Sequence, residues 1–163
     1  MPAVPFDQLP DDARVWIFAA SRPLHDGEQE RLLEVTDRFL EQWNAHGSPL
    51  TAARDLRYER FLLIAVDERA AGVSGCSIDA MTHGLRDLEQ DLGTTLIDHS
   101  AVLYRAGGEI ERVSRADFSV LADQGVVTPE TTVFNNTVPT VGDVRTGRWE
   151  VPASESWHAG AFF

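Results

Sequence analysis

Two patterns of hydrophobic and polar positions alternate along this chain, and each predicts a different element. Short apolar runs at ARVWIFAA (residues 13–20), LTAARDLRY (50–58) and RFLLIAVDE (60–68) predict three strands. The third run is almost continuously apolar, which is typical of a central strand. Large apolar side chains at helical spacing predict helices over residues 27–47 and 77–93.

The predicted helices have recognisable ends. Asp26, with an acidic or amide side chain three or four residues later, suits the N-cap of the first helix, and Gly47 suits its C′ position. Ser74 or Cys76 suits the N-cap of the second helix, and Gly93 its end. The segment between the third strand and the second helix, ERAAGVSG, is predicted to be a loop.

The C-terminal third continues the alternation and then becomes irregular. HSAVLYR (99–105) and EIERVSR (109–115) predict a hairpin around Ala106-Gly107-Gly108, and Ser114 can cap a short helix, RADFSVLADQG. From residue 128 onward we expect one more strand and an irregular tail. The tail contains Trp149, Trp157, Phe162 and Phe163, and it must dock either on its own sheet, which we favour, or on a partner.

The order of elements predicts a single α+β domain over residues 1–163. Strand, helix, strand, strand, helix, strand is the order of the ferredoxin-like, split β-α-β fold, in which both helices cover one face of an antiparallel sheet. We expect this core over about residues 13–105, with the hairpin partner, short helix and tail in residues 106–163. The rival arrangement is another α+β layout in which a C-terminal strand changes the strand order.

Charge and composition exclude several classes of function. The chain has 26 acidic and 14 basic residues, for a net charge of −12, which disfavours nucleic acid and anionic membrane surfaces as partners. All the basic residues are arginine, so the lysine of a phosphate-binding loop and the lysine of Schiff-base or pyridoxal-phosphate chemistry are both missing. We therefore expect no ATPase activity and no cofactor.

The remaining composition points to the cytoplasm. A single cysteine cannot form an internal disulfide, and neither it nor the five histidines have the spacing of a zinc site, so we expect no metal. The N-terminus is acidic where a signal peptide is basic. No stretch reaches the ~18 apolar residues of a membrane span.

The lone cysteine is the first candidate for chemistry. Cys76 falls in the first turn of the second helix, where unpaired backbone N–H groups favour a thiolate. In the predicted topology the first helix ends on the sheet edge where the second begins. Trp43 and His46 would then lie near Asp67, Ser74 and Cys76, with Ser77 and Asp79 following on the helix. A histidine beside a cysteine is one way to activate a nucleophile, but a lone cysteine is more often a small buried hydrophobe.

Two further pairs have polar side chains. Asp79 and His83 lie four residues apart on one helix face, so the carboxylate could orient the imidazole, although a surface ion pair is the simpler interpretation. Asn135 and Asn136 interrupt a strand-like run and could bind a ligand, although such a pair more often satisfies the backbone of a turn.

Several stretches of the chain resemble one family. SRPL, RFLLIAVDE, AGVSGCSID, VFNN and WEVPASESWH are similar to segments of a small bacterial protein family frequent in Bacteroidetes-type genomes, and the resemblance covers nearly the whole chain. Members are often labelled "ABC transporter ATPase", a label that implies a phosphate loop with a lysine. This chain has no lysine, so we interpret the label as an error, and the resemblance implies no catalytic residue at any position.

Two hypotheses about function follow. The first is a non-catalytic cytoplasmic binding or accessory protein, either a monomer or a homodimer, which recognises a small molecule or a protein through the edge containing Cys76. The second is a thiol-dependent enzyme with Cys76 as nucleophile and His46 or His83 as base. The first is favoured because the sequence contains no complete catalytic set.

Overall fold

The computed structural model describes residues 4–69 and 71–163. Met1 to Ala3, and Ala70 of the predicted loop, lie outside the described residues. The strands are β1 (Arg14–Ala19), β2 (Asn44–Ala45), β3 (Ser48–Pro49), β4 (Thr51–Arg57), β5 (Phe61–Asp67), β6 (Ala101–Ala106), β7 (Glu109–Ser114), β8 (Thr132–Phe134) and β9 (Glu150–Pro152). The helices are α1 (Asp26–Gln42), α2 (Gly75–Leu92), α3 (Arg115–Asp123), α4 (Val141–Arg145) and α5 (His158–Phe162), with 3₁₀ turns at Phe6–Gln8 and Ala153–Glu155.

Two antiparallel sheets form the centre of the molecule, so the α+β class is confirmed. The first sheet has the order β1-β5-β4, and the second has the order β7-β6-β8-β9. In the first sheet β5 runs antiparallel to both neighbours, with Trp16 opposite Ile64 and Ala53 opposite Ala65. β2 and β3 form a separate two-stranded hairpin.

The helices and the two sheets form four layers, because the side chains of each strand alternate between its two faces. One face of the first sheet packs on α1 and α2, through residues such as Ile64, Leu40 and Met81. Its other face packs on the second sheet, where Phe61 meets Phe134. The far face of the second sheet is covered by α3 and α5. Both faces of β5 are therefore buried, as its continuous apolar run predicts.

The predicted fourth strand of the ferredoxin-like sheet is found elsewhere. The segment predicted to be the last strand of that core forms β6, which pairs with β7 and β8 in the second sheet and not with the first sheet. The consecutive residues Val102, Leu103 and Tyr104 are all buried, on alternate faces of the strand. The outer face of a one-layer sheet would leave some of them in water, whereas the second sheet buries both faces of β6.

The helix ends agree with prediction at α2 and differ at α1. Ser74 caps α2 and Gly93 ends it in a left-handed conformation, as expected. The N-cap of α1 is His25, not Asp26, because the His25 ring accepts the Glu28 N–H while Glu28 accepts the His25 N–H. α1 ends at Gln42, and Gly47 lies in the β2–β3 turn with φ of +82°.

The C-terminal tail is more regular than predicted. It contains two strands and two short helices, and it packs on its own chain. Trp149 enters the core between the sheets, and Trp157 and Phe162 pack over the second sheet. Phe163 remains 44% exposed. The preference for docking on the chain's own sheet is therefore confirmed for three of the four aromatic residues.

Candidate functional site

A groove of about 290 Å³ lies where α1 ends and α2 begins. It brings together five of the residues predicted from the sequence, which come from two segments of the chain, 43–46 and 74–77. These are Trp43, His46, Ser74, Cys76 and Ser77. The prediction that the two helix ends meet at one edge of the sheet is therefore confirmed.

Hydrogen bonds hold the two sides of the groove together. Ser74 and Ser77 form a capping box at the start of α2, with hydroxyl oxygens 2.8 Å apart. Ser77 Oγ also donates to the Asn44 carbonyl at 2.6 Å, and the Trp43 indole N–H donates to the Ser77 carbonyl at 2.8 Å. The β2–β3 hairpin is thereby fastened to the N-terminus of α2, and the serine hydroxyls are engaged in this framework.

The two groups with potential chemistry are exposed. Cys76 lies in the first turn of α2 and is exposed, so its interpretation as a small buried hydrophobe is wrong. His46 was expected at the end of α1. It lies instead in the β2–β3 turn, with φ of +51°. This turn carries the exposed imidazole to the same groove as the thiol.

Among residues 4–69 and 71–163, no aspartate, glutamate or arginine side chain lines the groove. Asp67, which was predicted to lie there, is held by Arg69, whose guanidinium bonds to both carboxylate oxygens and lowers the pKa of Asp67. Asp79 is exposed on α2 outside the groove lining. The acidic neighbourhood expected around Cys76 is therefore absent from the groove wall.

His83 lies away from the groove and has a different partner from the one predicted. Its Nε2 is 3.9 Å from a carboxylate oxygen of Asp87, while both side chains remain largely in solvent. Asp79 and Asp87 are each four residues from His83, so the spacing alone permits either pair. An exposed pair of this kind orients nothing in the groove.

The two asparagines have structural roles. Asn135 Oδ1 accepts hydrogen bonds from the backbone N–H and the hydroxyl of Thr137, and Asn136 Oδ1 accepts the Trp149 indole N–H at 2.8 Å. These bonds stabilise the turn after β8 and hold the tryptophan between the sheets. The turn interpretation is therefore confirmed for Asn135, whereas Asn136 bonds to a side chain, and neither residue lies at the groove beside Cys76.

Four lining residues were missed from the sequence. Phe39, Gln42, Asn44 and Ala80 also border the groove. Phe39 and Ala80 lie four residues from Trp43 and Cys76 on their helices, so helical spacing could have indicated them. Gln42 and Asn44 flank the end of α1, and only the observed hairpin shows why they face the groove.

Residues 4–69 and 71–163 contain no group of three or more potential metal ligands. No helix in this part of the chain is long and apolar enough to cross a membrane.

Comparison of the chain with protein-family models, with curated proteins and with solved structures finds no match. The resemblance to the bacterial family described above therefore stays a prediction.

Proposed function

We propose that this protein is a non-catalytic binding protein whose groove beside Cys76 takes a small, uncharged molecule. The observation that carries the proposal is the character of the groove wall. It combines aromatic edges from Phe39 and Trp43 with imidazole, amide and thiol groups, and the described part of the chain adds no aspartate, glutamate or arginine to it. Such a surface suits a neutral ligand that makes apolar contacts and a few hydrogen bonds.

The volume of the groove also limits the size of the ligand. At about 290 Å³ the groove is at the lower end of the usual range for small-molecule sites. The hydroxyls of Ser74 and Ser77 already bond within the framework, and Asn44 Nδ2 donates to the Gln42 carbonyl. The side chains of His46 and Gln42 and the side-chain oxygen of Asn44 are therefore the groups available to recognise polar atoms of the ligand.

A thermal-melt screen of small, uncharged compounds tests this proposal. A ligand should raise the melting temperature of the wild-type protein, and Ala80→Trp, which fills the groove, should abolish the shift. His83→Trp is the matched control, since it puts the same side chain on an exposed part of the same helix. A shift that survives Ala80→Trp would show that the ligand binds elsewhere and would overturn the assignment of the groove.

The alternative, a thiol-dependent enzyme, has one observation in its favour. Cys76 and His46 are both exposed and line the same groove. No hydrogen bond joins them within the described residues, and no third group orients the imidazole there. A nucleophile, base and orienting group are the usual set, so the set in this groove is incomplete.

Alkylation of Cys76 separates the two functions. Iodoacetamide should react with the wild-type protein and with His46→Ala at the same rate from pH 5 to 9, because the imidazole does not activate the thiol. A rate near neutral pH that falls at least tenfold in His46→Ala would place the enzyme hypothesis first.

A further inference from the structure

The outer edge of β1 has backbone groups without a protein partner. β1 bonds to β5 through its even-numbered residues, because Ala20 N–H donates to Arg60 O while the Val15 N–H points the other way, to Pro139 O. The N–H and C=O of Ile17 and the N–H of Ala19 therefore also face outward. Within residues 4–69 and 71–163, none of these groups bonds to another part of the chain.

Both ends of this open edge are already paired. At its start, Val15 N–H donates to Pro139 O and Val141 N–H donates to Ala13 O, as in an antiparallel ladder. At its far end, Ser21 N–H donates to Thr95 O at 3.2 Å. Between the two paired ends, about three residues of β1, from the Val15 carbonyl to Ala19, have no backbone partner on this edge among the described residues. This stretch is roughly 10 Å long.

The open edge lies on the floor of a cleft of about 360 Å³. One wall comes from the segment that enters β6, including His99 and Leu103, and the other from residues 136–139. Ile17 is only 2% exposed, so its free backbone groups are recessed. Unpaired backbone groups in such a place are costly unless something bonds to them.

The depth of the cleft also determines which kind of molecule can reach the open edge. A second copy of this protein carries its own β1 on the floor of the same cleft, so two such edges cannot meet. A single extended peptide can enter. Side chains that face one way would contact the apolar residues Leu103 and Val138, and those that face the other way would contact Phe18 beside the polar His99. One side of the cleft is therefore apolar and the other is mixed.

We propose that this cleft binds an extended segment of another protein, of about five residues with apolar side chains at alternate positions, whose three central residues pair with the open part of β1 as a short fourth strand. Hydrogen bonds between the backbone of this segment and Ile17 and Ala19 provide affinity. Contacts with the apolar residues Leu103 and Val138 determine which side chains are preferred. The site is separate from the groove beside Cys76, so either proposal can fail without the other.

The test uses fluorescein-labelled pentapeptides with threonine at positions one, three and five and with valine, isoleucine, leucine or phenylalanine at positions two and four. At least one should bind, by fluorescence anisotropy, and its twin with N-methyl groups on alternate amides should bind at least tenfold more weakly. Binding should slow the amide exchange of Ile17 and Ala19 at least tenfold by NMR. In the free protein these two amides should exchange faster than those of Trp16 and Phe18.

Two alanine-to-tryptophan variants localise the site. Ala101→Trp at the cleft should weaken the peptide at least tenfold, and Ala80→Trp in the Cys76 groove should leave it unchanged. Thr137→Trp, at an exposed position on the opposite wall, replaces Ala101→Trp if circular dichroism shows that variant to be unfolded. The proposal is overturned if no peptide of the set binds, if N-methylation has no effect, or if sedimentation shows a dimer that Ala101→Trp dissociates.

Discussion

At the scale of single residues, His158 has the most altered environment of the histidines. Its side chain is buried, its Nδ1 lies 2.7 Å from the Ser156 hydroxyl, and its ring stacks on Trp157 with centroids 3.9 Å apart. Burial, with a smaller contribution from the positive charge of Arg115, lowers the pKa of His158 to about 4. The ring is therefore neutral at neutral pH, and a hydrogen bond joins its Nδ1 to the Ser156 hydroxyl.

This shift predicts a pH dependence of stability. Since the ordinary pKa is 6.5, the unfolded chain binds a proton below that pH, while the folded chain does not until about pH 4. Stability should therefore fall as the pH drops from 6.5 to 4, by about 2 kcal/mol after allowance for solvent screening. In urea unfolding, the stability of His158→Phe should not decline over this pH range. The stability of His83→Gln, a change at an exposed position, should decline as in the wild-type protein. An equal decline in His158→Phe would contradict the assignment.

Single residues also show what the sequence could and could not predict about the groove. Trp43, Ser74, Cys76 and Ser77 follow from the topology, because helix caps and helix ends can be recognised in the sequence. Asp67 was misplaced because its carboxylate turns to Arg69, only two residues away. Nothing in a one-dimensional pattern distinguishes a carboxylate that faces a groove from one held by a neighbouring arginine.

At the scale of elements, the β4–β5 turn is strained. Tyr58 and Glu59 both have positive φ, 55° and 62°, which is unfavourable for residues other than glycine. Tyr58 compensates through contacts with the second sheet: its hydroxyl donates to Glu150 at 2.8 Å, its ring stacks on Trp149, and Arg105 lies 4.8 Å from the ring centre. Among the described residues, Glu59 has no side-chain hydrogen bond or ion pair to offset its strain.

Glycine at the two turn positions should have opposite effects. Glu59→Gly relieves strain without breaking a side-chain contact, so it should stabilise the protein by about 0.5 kcal/mol after the entropy of the unfolded glycine is counted. Tyr58→Gly loses the stack and the hydrogen bond to Glu150, and it should destabilise by about 2 kcal/mol. Chemical denaturation of both variants measures the two signs. Destabilisation by Glu59→Gly would mean that the turn is not strained.

Elements also explain where the fold prediction succeeded. The periodicity of each segment was sufficient for β1, α1, β4, β5, α2 and the β6–β7 hairpin, because local burial sets that pattern. The partner of β6 could not be predicted in the same way, since pairing depends on which surface covers both of its faces. The run Val102-Leu103-Tyr104 did contain a signal, because consecutive large apolar residues need cover on two sides.

At the scale of the whole molecule, the first sheet depends on the second. Its face away from α1 and α2 presents Ile17, Phe61 and Leu63, which pack against residues that follow the predicted core in the chain. Phe134, Val138, Val141, Val144 and Trp149 supply that cover. The predicted core of about residues 13–105 therefore lacks most of what buries one of its two faces.

This dependence predicts that a chain ending after residue 105 does not fold alone. It would expose the apolar face of the first sheet, and such a face must be buried against another layer for a domain to be stable. We expect the truncated chain to show no cooperative thermal transition and to bind a hydrophobic dye. In the full chain, far-ultraviolet circular dichroism and tryptophan fluorescence should report one common transition, because Trp43 lies in one core and Trp149 in the next. A truncated chain that melts cooperatively, or two separate transitions in the full chain, would show that the two sheets are independent units.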